Sequence, residues 1–275
     1  MFPYISLGDI FFVPLYTPTF LIGLFIAVLI ARRLAPSNGI EKADVVYASV
    51  YAAIGLLVGA KFLYFITKLP AIIKHFDTFV ELVKQSPLDA LSFAFGGLVF
   101  YGGLLGGILG VFIYCRLYKV DFISILNVAA PMIPLMHGFG RIGCFLGGCC
   151  YGIEYHGFGN VQFPYNELIP ELNAVPRFPV QLLEAALNFL MCLVLLYLLK
   201  YKKVRKGQLM GIYLLYYTVV RYLLEYLRGD KIRGSVGIFS TSQIISILLL
   251  PIGIILVRGK WLQHLEGQKH SEKIE

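Results

Sequence analysis

The chain has 275 residues, 58% of them hydrophobic and only 15% charged, with a mean hydropathy of +0.74. Soluble domains carry nearer a quarter charged residues, so these values favour a polytopic membrane protein. The net charge of +8 sits in short basic clusters at the ends of apolar runs, without an aromatic-interleaved basic patch. No nucleic-acid partner is expected from that arrangement.

The opening "MFPYISLGDIFFVPLYTP" lacks a basic leading region and a small-residue cleavage site, so it does not read as a cleavable signal peptide. Apolar runs of spanning length follow near residues 17–31, 45–67, 93–115, 122–136, 179–199, 209–227 and 239–257. The expected fold is therefore all-α, a single polytopic membrane domain over residues 1–275 with about seven transmembrane helices. Lys and Arg density sets the orientation. "ARRLAPSNGIEK", "CRLYKVD", "KYKKVRKG" and the tail from Arg258 hold fourteen of the 24 Lys and Arg. They read as inner segments, which leaves the N-terminus outside and the C-terminus inside. Residues 137–178 then face outward as a glycine- and cysteine-rich loop and small lobe. Irregular backbone at membrane depth is tolerated only where it is buried in protein or lines a watery cavity, so the glycine-rich part implies a cavity.

Four ionisable residues fall within the expected spans: Lys61, Glu184, Arg221 and Glu225. Each costs roughly 2.5–3.5 kcal/mol to insert, so such groups face the bundle interior and find partners. Arg221 and Glu225 in "RYLLEYLRGD" are four residues apart, one turn along one helix face. They can pair as structural glue, and the guanidinium can also be offered to a ligand. Glu184 stands one turn after Gln181 in "PVQLLEAAL". Lys61 in "VGAKFLYF" is expected to snorkel outward.

The stretch "HGFGRIGCFLGGCCYG", residues 137–152, carries six glycines, Arg141 and three of the five cysteines. Cys144-x₄-Cys149–Cys150 is a weak match to the C-x₂₋₄-C spacing of a zinc site, with no second pair and only His137 and His156 as further candidate ligands. A redox bridge between Cys144 and Cys149, or a strained one between Cys149 and Cys150, is a second reading. The third is a backbone-lined anion pocket. Glycines admit close approach of the main chain, successive N–H groups form a nest for anions, and Arg141 offers a planar fork matched to phosphate. The alternative to all three is a tight hairpin whose arginine reaches the lipid head groups.

Taken in order along the chain, these pieces resemble the prolipoprotein diacylglyceryl transferases, seven-span enzymes of the bacterial cytoplasmic (inner) membrane. "FLIGLFIAVLIARR" resembles the family's first helix, with Tyr16 at its outer end. "GGLVFYGGLLGG", containing Tyr101, Gly102 and Gly103, resembles the glycine-rich third-helix motif. "GRIGCFLGGCCYG" resembles the family signature at Arg141, Gly143 and Gly152. "FPVQLLE" matches at Pro179, Gln181 and Glu184, and "RYLLEYLRGD" matches at Arg221 and Glu225. "STSQIISI", with Gln243, resembles the start of the last helix.

The resemblance implies transfer of a diacylglyceryl group from phosphatidylglycerol to a cysteine thiol of a lipoprotein precursor, with release of glycerol phosphate. It implies catalytic roles for Tyr101, Arg141, Arg221 and Glu225. Tyr16, Gly102, Gly103, Gly143, Cys144, Gly152, Gln181 and Glu184 would form the substrate pocket. Partners would be phosphatidylglycerol, the precursor peptide and the bilayer, with no metal and no other cofactor. Three positions depart from the family pattern: Tyr101 stands where the family has histidine, Cys144 where it has asparagine, and Cys149–Cys150 where it has glutamate and an apolar residue. His137 is the nearby histidine that could stand in as the base. A lipid-binding protein without turnover and a thiol-redox membrane protein are the other readings of the same scaffold.

Overall fold

A computed structural model describes residues 4–7, 11–164, 175–201, 204–205, 207–229, 235–236, 239–240 and 241–259. Helices dominate: α1 (Tyr16–Leu34), α2 (Lys42–Lys74), α3 (Phe76–Gln85), α4 (Pro87–Phe95), α5 (Phe100–Tyr118), α6 (Phe122–Ala129), α7 (Met132–Leu146), α8 (Val180–Tyr201), α9 (Gln208–Leu224) and α10 (Thr241–Arg258). Three short antiparallel pairs complete the described residues: β1 (Tyr4–Leu7) with β2 (Phe11–Pro14), β3 (Val161–Gln162) with β4 (Pro176–Arg177), and β5 (Ser235–Val236) with β6 (Phe239–Ser240). The chain is an all-α membrane protein. Among the described residues α1, α2, α5 and α8 are long and apolar enough to cross a bilayer, and α6 with α7 makes a fifth if that bent pair is one span.

The chain divides into two compact units, one of Met1–Leu34 with Leu126–Glu275, the other of Ala35–Ile125. In the second unit α2 begins at a capping box in which Glu41 and Asp44 serve each other's backbone N–H groups. The unit is built on a seam between α2 and α5. Gly102, Gly106 and Gly110 recur every fourth residue on one face of α5. A methyl on them would collide with the carbonyl oxygens of Gly59, Gly55 and Tyr51 in turn. Small residues at this spacing let two helix backbones touch, which is how helices associate where no hydrophobic drive separates protein from lipid. Gly103 belongs to the same packing, its missing methyl lying 3.3 Å from Leu56 Cγ. Gly102 and Gly103, expected in the substrate pocket, both face α2 in this packing.

Two expectations about chain path change. The third span does not run straight from residue 93, because α4 ends at Phe95 and α5 starts only at Phe100, with Val99 extended as its N-cap. Lys61 does not simply reach outward: its Nζ donates to the Phe95 carbonyl at 2.8 Å, a cation on the last carbonyls of α4, where the helix dipole favours it.

In the first unit α6 and α7 bend by 42° at their break. The break carries Pro131, which lacks an N–H and clashes with the preceding turn. The expectation of irregular backbone from residue 137 is corrected here, since residues 137–146 belong to α7. Gly138 and Gly143 serve contacts between helices, which outweigh their poor helix propensity of about 1 kcal/mol each. A methyl on Gly138 would fall 2.6 Å from the Phe189 ring of α8, and one on Gly143 would fall 2.9 Å from the Tyr16 Cα of α1.

Irregular structure starts where α7 stops. Gly148 takes the left-handed conformation at φ 68°. Its N–H donates to Phe145 O at 3.3 Å, and the Cys149 N–H donates to Cys144 O at 3.0 Å. These two bonds make a Schellman turn. Residues 151–155 then run extended between two other segments. On one side Ile153 N donates to Leu227 O and Gly229 N to Tyr151 O, both at 3.0 Å. On the other, Phe178 N donates to Ile153 O at 3.0 Å and Tyr155 N to Pro176 O at 2.9 Å. The exit of α7, the entry of α8 and the exit of α9 are thereby knitted together.

Candidate active site

The charged residues of the first unit gather beside this knit. Arg141, on the last turns of α7, sends Nη2 to Glu184 Oε1 of α8 at 2.9 Å, and His137 Nε2 approaches the same oxygen at 3.4 Å. Arg141 and His137 are one turn apart, so both reach a single carboxylate on the neighbouring helix. Glu184 lies on a buried polar stripe of α8 with Gln181 and Asn188. Gln181 Nε2 donates to Cys149 O at 2.9 Å, holding the Schellman turn against α8. The His137 ring is 5.9 Å from that of Tyr217 on α9.

The second pair is the one expected from spacing. Arg221 Nη2 lies 2.8 Å from Glu225 Oε2 and donates to Ser242 Oγ at 2.7 Å. Ser242 is set by the start of α10, where Ser240 Oγ accepts from Gln243 N–H and Gln243 Oε1 accepts from Ser240 N–H. This S-x-x-Q capping box gives "STSQ" its local job and points one hydroxyl at Arg221.

The two pairs are neighbours. Glu184 lies within electrostatic reach of both Arg141 and Arg221, and Arg228 lies within reach of both arginines. Three guanidinium groups thus gather around the carboxylates Glu184 and Glu225. Arg141 Nε and Arg221 Nη1 are buried and make no hydrogen bond among the described residues, and neither does Glu184 Oε2. Buried donors of that kind call for a partner, and an anionic ligand oxygen is one that guanidinium groups suit.

Tyr16, the first residue of α1, joins the same neighbourhood: Arg141, Cys144, Cys149 and Cys150 all act on it electrostatically. Gly143 is the position that lets α1 lie against α7 there. Gly152 is sandwiched, since a methyl on it would strike the Phe178 carbonyl and come within 3.1 Å of Leu227 O. It keeps the extended segments together. Tyr101 belongs to the other unit, on the first turn of α5, 40% exposed and with its ring edge-on to Phe100.

None of the five cysteines is in a disulfide. Hydrogen bonding to Cys144 and Cys150, reinforced by burial, pushes the Cys149 thiol far up from its ordinary range. Two residues not singled out from the sequence stand close by. Arg228 pairs its backbone with Gly152, and the Arg177 guanidinium lies 4.8 Å above the Tyr151 ring. Both sit among polar residues at the ends of helices, where arginine is ordinary and gives no signal.

Residues 4–258 match the family described as prolipoprotein diacylglyceryl transferase. The phosphatidylglycerol–prolipoprotein diacylglyceryl transferase 2 of Clostridium perfringens is 34% identical over 269 residues, covering 97% of this chain and 98% of that protein. The enzyme so named from Clostridium tetani is 31% identical over 235 residues (86% and 88%), and that of Rickettsia felis 32% over 248 residues (88% of each). With a family match across almost the whole chain and relatives of this identity over most of their length, the chain belongs to the prolipoprotein diacylglyceryl transferase family.

Proposed function

We propose that this chain moves the diacylglyceryl group of phosphatidylglycerol onto the cysteine thiol of a lipoprotein precursor and releases glycerol phosphate. The observation that carries the reading is that buried N–H donors of Arg141 and Arg221, on either side of Glu184, make no hydrogen bond among the described residues. A carbon–sulfur bond forms at the glyceryl carbon that carried the phosphate, and the carbon–oxygen bond to that phosphate breaks. The phosphodiester leaves as a monoester with one further negative charge. Fixed cations aimed at that oxygen in a water-poor site stabilise the transition state more than the ground state.

Arg141 and Arg221 hold the phosphate. Glu184 and Glu225 orient them and keep the site from being so positive that product stays bound. His137, held by Glu184, accepts the thiol proton, as an imidazole on a carboxylate is suited to do. Tyr101 donates a hydrogen bond from its phenol to the lipid. Tyr16, Gly143 and Gln181 shape the pocket, and Cys144 stands at its wall. Seven crossings, with α9 and α10 counted and the N-terminus outside, put this site toward the outer leaflet of the bacterial cytoplasmic membrane.

The test is a transfer assay with purified protein in detergent, phosphatidylglycerol and a peptide bearing a lipobox cysteine. Glycerol phosphate release with a diacylglyceryl mass gain on the peptide, abolished in Arg141→Ala, is the expected result. Folded protein that binds the lipid without turnover would overturn it.

A further inference from the structure

Beyond Cys144 at the pocket wall, the phosphate reading gives the thiols of the α7 turn no chemistry. Their sulfur atoms nevertheless all lie within 4.8 Å of one another. Linear spacing hides this. In a Schellman turn the residue three positions before the cap and the residue two after it come into contact, and here those residues are Cys144 and Cys149, bridged through the left-handed Gly148. Cys150 is itself left-handed at φ 58°, an uncommon state for a residue with a Cβ. That turns the third thiol back toward the first two. The turn is held from outside by the Gln181 side chain on the Cys149 carbonyl.

We propose that Cys144, Cys149 and Cys150 form a binding site for one thiophilic d¹⁰ metal ion of the zinc and cadmium class. An ion about 2.3 Å from three sulfurs keeps them roughly 4 Å apart, so small side-chain rotations close the site. Among the described residues the cluster contains sulfur alone, with neither carboxylate nor imidazole, which selects soft ions over magnesium or calcium. Binding exchanges three thiol protons for one divalent cation, without electron transfer, and leaves the site with a charge of −1. The Arg141 guanidinium, within electrostatic reach of Cys144 and Cys150, offsets that charge. The functional consequence rests on the proposed role of Arg141: a guanidinium committed to the metal thiolate holds lipid phosphate less well, so the ion inhibits transfer.

The test uses the full chain, reduced and then freed of reductant under anaerobic conditions in detergent, with Cd²⁺ as the probe. The expected result is one ion per chain and an ultraviolet thiolate-to-metal charge-transfer band. Peptide mapping should show Cys144, Cys149 and Cys150 protected from alkylation, and Cys115 and Cys192 unprotected. Cys149→Ser and Cys150→Ser, the two less buried members, each weaken affinity on the order of 100-fold, while Cys192→Ser leaves it unchanged. Equal protection of all five thiols, or wild-type affinity in both serine variants, would overturn the site. Zn²⁺ should inhibit the wild type reversibly on chelation and spare Cys149→Ser relative to its own metal-free rate. Binding without inhibition would overturn the coupling alone, and absence of any transferase activity leaves the absorbance and protection results to decide the site.

Discussion

Arg141 and Glu184 meet at 2.9 Å across two helices with only 12% and 3% of their side chains exposed. So buried a pair contributes little net stability, because its attraction is set against the desolvation of both charges, yet breaking it by removing one partner costs about 3–5 kcal/mol. The pair therefore serves to hold a guanidinium in a fixed pose more than to glue α7 to α8.

Stability and turnover should separate on that basis. Glu184→Ala lowers the thermal midpoint sharply, whereas the double variant Arg141→Met with Glu184→Leu restores most of it and shows no transfer. Arg141→Lys keeps the charge but loses the planar fork. It should fold, as followed by thermal unfolding in detergent, and lose about 10²–10³-fold in turnover.

The proton step distinguishes His137 from Tyr101. His137→Gln is expected to lower kcat by about 10²–10⁴-fold, with lipid binding retained. Tyr101→Phe removes one neutral hydrogen bond, about 1 kcal/mol, and should stay within about tenfold of wild type in the transfer assay. A collapse of activity in Tyr101→Phe with an active His137→Gln would reverse the assignment.

Adjacent glycines of α7 should answer oppositely to alanine. The methyl of Gly143→Ala would lie 2.9 Å from the Tyr16 Cα, on backbone that cannot give way, whereas that of Gly140→Ala meets the Tyr16 hydroxyl at an ordinary 3.7 Å. Gly143→Ala should destabilise by about 1–3 kcal/mol. Gly140→Ala should be neutral or stabilising by up to about 1 kcal/mol from helix propensity. Thermal midpoints of the two variants are the comparison.

The α2–α5 seam offers the same contrast. Gly106→Ala would put a methyl 3.0 Å from the Gly59 Cα, while Gly107→Ala reaches only the Ala52 carbonyl at 3.5 Å. The first should make the protein aggregate at lower temperature in detergent, and the second should leave its midpoint unchanged.

Local spacing made part of this site legible. Arg221 and Glu225, four apart on an apolar helix, do pair, and Gln181 and Glu184 do share a buried face. Spacing along one helix cannot reveal a partner on another, so the meeting of Arg141, His137 and Glu184 appears only in three dimensions. The glycines of residues 137–146 suggested irregular chain because propensity was the visible signal, while the α1 and α8 surfaces that require them were not. The cysteines gave only a weak motif, because the spacing C-x₄-C-C does not show that the left-handed Gly148 and Cys150 bring all three sulfurs together.

The extended segment 151–155 is bonded to the exit of α9 on one edge and to the entry of α8 on the other. The gauge between the arginines of α7 and α9 is thus cut in peptide units. Replacing side chains can change what the site grips, but its jaw width yields only to adding or deleting a residue between Gly147 and Cys150. Substitution at those positions leaves that spacing intact, provided their number stays the same.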